Sequence, residues 1–268
     1  MRHALKNNEL YMVYQTKNNI HDYSVTSFEA LMRWQSPVLG FVGPDEFIMA
    51  AESIGVIDKM GEFALYQACK DLKEFQRKYG RPLSMAVNLS MRQLNNNDIV
   101  GIVRDVLEQE QIDPKSLELE ITESLLAERF DIVLPVLNEL LSLGISLSID
   151  DFGTGYSSLN YLTRFPVSTL KIDRSFIVNM VDSDEDAALV ESVIAMAHRL
   201  GLKVVAEGIE SKSEIEMLQL YNCDIGQGYY YSKPLKCEDM LKLLAKLQQE
   251  RDAPDEGVIA GSSLQLER

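Results

Sequence analysis

Short apolar runs alternate with longer stretches of helical periodicity almost throughout the chain. The runs predict strands at Glu9 to Gln15, Val25 to Trp34, Ser84 to Leu89, Leu117 to Thr122, Ile145 to Asp150, Thr169 to Asp173, Lys203 to Gly208 and, shortest, Asp224 to Gly226. Helices are predicted at Pro44 to Ser53, Lys59 to Tyr79, Asn97 to Glu110, Ile132 to Leu143, Ser157 to Phe165, Asp186 to Leu200, Lys212 to Leu220 and Glu238 to Gln249. Strands and helices that alternate in this way imply an α/β protein with a mainly parallel sheet. The single unbroken run favours a TIM-like (β/α)8 barrel over an open sheet. The first two strands are joined only by Thr16 to Ser24, too short for a helical crossover, so the first strand is expected to be antiparallel and the barrel irregular. Gly80, Gly144 and Gly201 fall just past helical runs, where a left-handed residue ends a helix. Gly43-Pro44 can open one. Residues 1–249 read as one domain, and 250–268 as a polar tail or linker.

Six of the runs share a pattern at their ends: Phe28-Glu29-Ala30-Leu31, Met85-Ala86-Val87-Asn88, Leu117-Glu118-Leu119-Glu120, Leu147-Ser148-Ile149-Asp150-Asp151, Leu170-Lys171-Ile172-Asp173 and Val204-Val205-Ala206-Glu207. In each, an apolar neighbour faces the opposite way from Glu29, Asn88, Glu120, Asp150, Lys171 or Glu207. In a parallel barrel such strand ends converge on one mouth, so the six look like one site. Oxygen donors suit magnesium or manganese rather than zinc or copper. The adjacent pair Asp150-Asp151 lets one carboxylate bridge two ions while the next binds one. Two ions about 3.5–4 Å apart can clamp the attacking and leaving oxygens of a phosphoryl displacement. Taken singly, each feature has a plainer reading: Asp-Asp as a cap or turn, Glu120 as a rim charge, Lys171 as an ion-pair partner. Together the acids would repel strongly at one mouth, and cations are the simplest compensation. A lysine at a barrel strand end also admits a Schiff-base aldolase, which surrounding carboxylates disfavour.

The segment Asp151-Phe152-Gly153-Thr154-Gly155-Tyr156-Ser157-Ser158 has neither a Walker nor a dinucleotide fingerprint. It reads as a mobile loop carrying Asp151, or as a plain glycine turn into the helix from Ser157.

Size and charge narrow the classes. A barrel of this type takes roughly 250 residues, which 268 accommodates. The formal net charge of −15 argues against nucleic-acid polymers and anionic membranes as partners. It leaves open a small phosphate ligand, because divalent ions reverse the local field. No apolar run approaches the roughly 20 residues that cross a bilayer, and the start lacks a signal peptide's apolar core, so a cytoplasmic location is expected. The three cysteines and three histidines form no cluster, so no disulfide framework is suggested and a zinc site or a serine–histidine triad has little to work with.

The motifs, in order, are Glu29-Ala30-Leu31 with Arg33-Trp34, Asn88-Leu89-Ser90, Glu120-Ile121-Thr122-Glu123-Ser124, Asp150-Asp151-Phe152-Gly153-Thr154-Gly155, Lys171-Ile172-Asp173, Glu207-Gly208-Ile209-Glu210 and Gln227-Gly228-Tyr229. From Asn8 to Leu247 the chain resembles the EAL domain family, bacterial phosphodiesterases that hydrolyse cyclic di-GMP. The resemblance implies two Mg²⁺ or Mn²⁺ ions per site, the first held by Glu29, Asn88, Glu120 and Asp150, the second by Asp150, Asp151 and Glu207. It implies catalytic roles for Lys171, which would orient the attacking water, and Glu207, the candidate base. Arg33 would contact a phosphate, Leu31 would pack beside the ligand, Asp173 would meet a guanine edge, and Gln227 would fix the water or the ligand. Glu123 and Glu210, with Gly153 and Gly155, would support the loop. Gln15 is the remaining substrate-side candidate; the family often has Gln-Pro where this chain has Gln15-Thr16. The implied product is linear 5′-pGpG. A homodimer meeting near the glycine loop and the helix after it is also implied, as is attachment to a sensory or diguanylate-cyclase-like domain in a longer regulatory protein. The rival reading is a non-catalytic cyclic di-GMP sensor, which would require a broken ligand set.

Overall fold

The computed structural model describes Met1 and residues 4–95, 98–123, 130–154, 162 and 164–252. Eight of its strands close into a ring. β1 (Leu10–Asn19) pairs antiparallel with β2 (Val25–Ser36) and with β9 (Ile225–Gln227). Between them the ring continues through β8 (Lys203–Ala206), β7 (Thr169–Ile172), β6 (Ser146–Phe152), β5 (Leu117–Thr122) and β4 (Ser84–Asn88), all parallel to β2. The irregular barrel with its reversed first strand is therefore as the short first connection implied.

The first strand is longer than the sequence suggested. The polar run Thr16 to Asn19 is not a connection but the second half of β1, with Lys17 opposite Ser27 of β2 and Gln227 of β9. The turn shrinks to a few residues, closed by Asn19 Oδ1, which accepts from the backbone N–H of His21 (2.9 Å) and Asp22 (3.2 Å). β3 (Gly40–Val42) was not expected; it folds back on the end of β2 outside the ring.

The helices are α1 (Pro44–Ile54), α2 (Ile57–Tyr79), α3 (Met91–Asn95), α4 (Ile99–Glu110), α5 (Phe130–Ser142), α6 (Arg174–Asn179), α7 (Asp184–Arg199), α8 (Lys212–Leu220) and α9 (Cys237–Asp252). The short α3 and α6 escaped the sequence reading, since five or six residues hold too little periodicity to register. Pro44 opens α1 behind Gly43, and Gly80, Gly144 and Gly201 all take positive φ. α9 keeps Glu250 helical; the rest of the expected tail, 253–268, lies outside the described residues, as does most of the helix expected over Ser157 to Phe165.

The apolar core lies between the ring and the helices. Phe28, Met85, Leu119, Leu147, Leu170 and Val204 point out of the barrel and are fully buried, in one cluster with Leu72 and Phe75 of α2, Val103 of α4, Leu137 of α5 and Val190 of α7. Each such side chain contributes roughly 1.5–3 kcal/mol. A second cluster, Leu10, Trp34, Val42, Phe47, Ala51, Ile57 and Met60, fastens β3 and α1 beside the barrel.

Backbone proximity fixes two of the strand ends. A Cβ on Gly228 would stand 2.1 Å from Ile209 O and 2.3 Å from Ile209 N. That closeness lets Ile209 N–H donate to Gln227 O (3.0 Å) and Tyr230 N–H to Ile209 O (3.0 Å), tying the residues after β8 to those after β9. Gly228→Ala is expected to destabilise the protein by more than about 2 kcal/mol, read as a fall of several degrees in the thermal midpoint.

Candidate functional site

Side chains that alternate along a strand leave one row inside the ring. That row is largely polar here: Gln15 and Lys17 on β1, Glu29 on β2, Asn88 on β4, Glu118 and Glu120 on β5, Ser148 and Asp150 on β6, Thr169 and Lys171 on β7 and Gln227 on β9, with Ala86 and Val205 among them. Register sets their heights. Asn88 stands opposite Glu120, and Gln15 opposite Glu29.

Lys171 is the hub. Its Nζ donates to Glu120 Oε2 at 2.9 Å and lies 2.9 Å from Asp150 Oδ1, 2.6 Å from Glu207 Oε1 and 3.8 Å from Glu29 Oε2. An ammonium has three protons, so four carboxylates cannot all be served; Glu207 Oε1 lies within reach of Nζ but out of hydrogen-bond alignment. Glu29 is held from both sides: Asn88 Nδ2 donates to Oε1 (2.9 Å) and Gln227 Nε2 to Oε2 (2.6 Å). Gln227 Nε2 also donates to Gln15 Oε1 (3.0 Å), and Gln15 Nε2 to Ser232 O (2.9 Å).

Asp151 needs a special backbone to join this group. Neighbouring residues in a regular strand face opposite sides. The β6–β7 register breaks between Ile149 and Phe152, and Asp151 adopts φ 55°, uncommon for a residue with a Cβ. Its carboxylate is thereby brought round to Asp150 and Glu207. Two triads result, Glu29–Glu120–Asp150 and Asp150–Asp151–Glu207, each with ligand atoms within 4.8 Å of one another. Glu123 Oε2 accepts from Gly153 N–H (2.8 Å) and Thr154 Oγ1 donates to Asp151 O (2.9 Å), which steadies the bend. Gly155 lies outside the described residues.

Charge crowding shows in the proton affinities. Burial pushes Glu207 up to about 8, helped by Asp150 and Glu29 and opposed by Lys171. Burial and then Asp150 raise Asp151 to about 6. Glu29 is raised by burial as well. Burial also works against ionised Glu120, but Lys17 and Lys171 outweigh it and hold that carboxyl at about 2. For Lys171, burial is outweighed by Asp150, Glu120, Glu207 and Glu29, which keep it charged well above the ordinary lysine range. Carboxylates that favour the charged amine weigh against the aldolase alternative, which needs a neutral nucleophile.

Leu31 and Arg33 follow Glu29 on β2 and, with Ile48, Met91 and the acidic cluster, line a cleft of about 700 Å³. Arg33 is half-buried and Nη1 donates to Met32 O (2.9 Å). Asp173 ends β7 at the same rim, where Oδ1 accepts from Ser175 N–H (2.9 Å) and caps α6. Glu210 is set back on the surface, paired with Arg174 at 2.7 Å. Lys17 went unnoticed in the sequence. Fully buried, it stands 2.5 Å from Glu120 Oε1 and 3.3 Å from Glu118 Oε1. The signal available was its spacing: two residues from Gln15 on one strand, hence on the same face.

The donor set fits hard divalent cations. It consists of oxygens in two overlapping triads that share Asp150, and buried Gln227 Oε1 has no hydrogen-bond donor. Five carboxylates around one ammonium leave the mouth with an excess of acidic groups that cations could compensate.

Such an acidic mouth on an irregular barrel defines a class of oxygen-ligand centres. The sequence comparison narrows that class: the EAL domain model matches residues 1–234, and the chain belongs to the EAL domain family. It is 43% identical over 235 residues to the cyclic di-GMP phosphodiesterase NbdA of Pseudomonas aeruginosa, covering 88% of this chain and 30% of that protein. It is 36% identical over 235 residues to the cyclic di-GMP phosphodiesterase PdeR of Escherichia coli, covering 88% of this chain and 35% of that protein. The chain thus spans about a third of the length of these relatives. Among solved structures, the MucR phosphodiesterase in complex with c-di-GMP superposes with a TM-score of 0.85 at 38% identity, covering 89% of this chain and 97% of that one. The EAL enzyme Bd1971, bound to cAMP and cyclic di-GMP, gives a TM-score of 0.87 at 37% identity, covering 91% of this chain and 66% of that one.

The raised carboxyls make stability depend on pH. A carboxyl with a folded pKa above its unfolded value holds its proton longer in the folded state, so stability is greatest at low pH and is lost as pH rises. For Glu207 the window runs from about 4.5 to about 8, and Asp151 acts in the same direction up to about 6. Depressed Glu120 acts oppositely, with stability lost as pH falls from about 4.5 towards about 2. In chelator, the thermal midpoint is therefore expected to decline from pH 5 to pH 8, and Glu207→Gln to flatten that decline. An equally steep slope in the variant would show that Glu207 is not its source.

Proposed function

We propose that this chain is a metal-dependent phosphodiesterase that opens cyclic di-GMP to linear 5′-pGpG. The observation that carries this reading is the convergence of Glu29, Glu120, Asp150, Asp151 and Glu207 around Lys171 in two triads sharing Asp150, with Asn88 bonded to Glu29. Relatives bearing the phosphodiesterase name support the substrate and the reaction class.

The first triad with Asn88 would hold one Mg²⁺ or Mn²⁺ and the second triad another. Bound there, the ions would supply Lewis acidity to a phosphate oxygen and lower the pKa of a water. The chain's own groups do the rest. Arg33, on the cleft wall, presents a guanidinium to a phosphate. Leu31 offers an apolar surface beside it; Asp173 would meet a guanine edge, and Gln227 would fix the attacking water or the ligand. Lys171 donates a hydrogen bond that orients this water. Glu207, beside Asp150 and Asp151, would accept its proton. As the water oxygen joins phosphorus, the bond from phosphorus to the ribose 3′ oxygen breaks, and that oxygen leaves with a proton from solvent. Charge development at the phosphoryl oxygens is met by groups already in place.

Incubation with cyclic di-GMP and Mg²⁺, followed by chromatography, should yield one linear dinucleotide, and chelator should stop its formation. Glu120→Gln and Asp150→Asn should each lower turnover by at least about 100-fold. Lys171→Met should reduce kcat far more than ligand affinity. Binding without turnover by the unaltered chain would favour the sensor reading, and near-full activity of the Glu120 or Asp150 variant would refute the ligand assignment.

Two copies meeting near the glycine loop, and a further regulatory domain in the parent protein, belong to the same proposal. The relatives' greater length supports the second. Light scattering should give twice the mass of the 268-residue chain. No helix among the described residues is long and apolar enough to cross a membrane.

A further inference from the structure

We propose that Arg174 and Phe176, in the first turn of α6, are positioning residues for the second triad: they hold the backbone that carries Asp151 and Glu207, and so set the affinity of the second ion without touching it. The proposal rests on the reading of the mouth as a two-ion site. The two triads differ in what fixes their backbone. Glu29, Glu120 and Asp150 lie within β2, β5 and β6, where partners on neighbouring strands set their place. Asp151 and Glu207 leave that ladder. Asp151 turns at φ 55° inside the register break between Ile149 and Phe152. Glu207 follows the last residue of β8 and keeps a backbone bond to the next strand, its N–H donating to Ile172 O at 3.1 Å.

Each of these two ligands is followed closely by a glycine with positive φ, and α6 lies against both glycines. A Cβ on Gly153, two residues after Asp151, would stand 2.6 Å from Phe176 Cε2 and 2.7 Å from Cζ. A Cβ on Gly208, next after Glu207, would stand 2.2 Å from Arg174 Cγ, 2.7 Å from Cβ and 2.8 Å from Cδ. Contacts this close leave both segments little room to shift, because packed atoms resist compression. The helix is itself anchored to the site. Asp173, two residues after Lys171, caps it by accepting from Ser175 N–H at 2.9 Å, and Phe176 N–H donates to Asp173 O at 3.1 Å. One short helix therefore ties Asp151 and Glu207 to the strand that carries Lys171. In Arg174 the part that touches Gly208 is the alkyl stem. Its guanidinium meets Glu210 at 2.7 Å, but the two side chains are 57% and 46% exposed, and a pair so wet contributes little by itself.

Titration of the full chain with Mn²⁺ in the absence of substrate, with the free ion read by electron paramagnetic resonance, tests this. The parent is expected to bind two ions. Arg174→Ala and Phe176→Ala should each bind one ion within about twofold of the parent and the other at least about tenfold more weakly. A general loosening of the barrel would weaken both ions alike. Arg174→Met keeps the stem and loses the ion pair with Glu210, and Phe176→Tyr keeps the ring; both should bind as the parent does. Arg174 is exposed, so its variants keep the fold even if Phe176→Ala does not. In Arg174→Ala/Asp151→Asn the weakened ion should vanish and the retained one stay, which marks the weakened ion as the second. Both ions unchanged in Arg174→Ala, both weakened equally, or loss of the retained ion in the double variant would overturn the positioning role and leave the two-ion reading intact. So would an Arg174→Met that binds as poorly as Arg174→Ala, because the ion pair and not the stem would then be responsible. Fewer than two ions on the parent would overturn the two-ion reading and this proposal together.

Discussion

A buried ammonium ringed by more carboxylates than it can serve is the interaction on which the rest depends. Lys171 sits inside a barrel whose inward row carries many polar groups among a few apolar ones such as Ala86 and Val205, where barrels of this size are ordinarily filled by branched aliphatics. Burying charge is costly unless each ion finds partners, and a half-satisfied network is worse than an apolar filling. The lower part of the row comes nearest to that condition: Lys17 bridges Glu118 and Glu120, and Thr169 donates to Glu118. The upper part does not. Its surplus negative charge raises Glu207, Asp151 and Glu29 while Lys171 stays charged. Stability has to come from outside the ring, where Phe28, Met85, Leu119, Leu170 and their helix partners form the core.

This division of labour explains what could be read from the sequence. The outward residues are apolar and flank each functional acid, so Glu29, Asn88, Glu120, Asp150, Lys171 and Glu207 announce themselves as polar groups in strand-like runs. The antiparallel first pair was legible because chain length alone forbids a crossover. Lys17 was not, because Thr16-Lys17-Asn18-Asn19 has the composition of a turn. Its strand character comes from pairing on both sides, with β2 and β9, and from charges on β5 that lie a hundred residues away. Tertiary electrostatics, not local propensity, decides that segment.

Asp151 marks a second limit. Adjacency to Asp150 suggests that two carboxylates share a site, yet strand geometry points neighbours apart. Only the register break and the positive φ reconcile the two, and nothing in the residue types announces them. Strain of this kind persists where surrounding structure enforces it. Glu123 supplies part of that enforcement through Gly153, and Asp150 Oδ1 another part by accepting Asp151 N–H at 2.9 Å.

Folding and ion binding are consequently one problem at the mouth. The repulsion among these carboxylates would be relieved in proportion to the positive charge a bound cation brings, and the free energy it costs the fold would reappear as affinity. Lys171 then has a role that no ion can take. It occupies the centre as a fixed cation that keeps Glu120, Asp150 and Glu207 turned inward whether or not ions are present, and so preserves a cage that the carboxylates alone would splay apart.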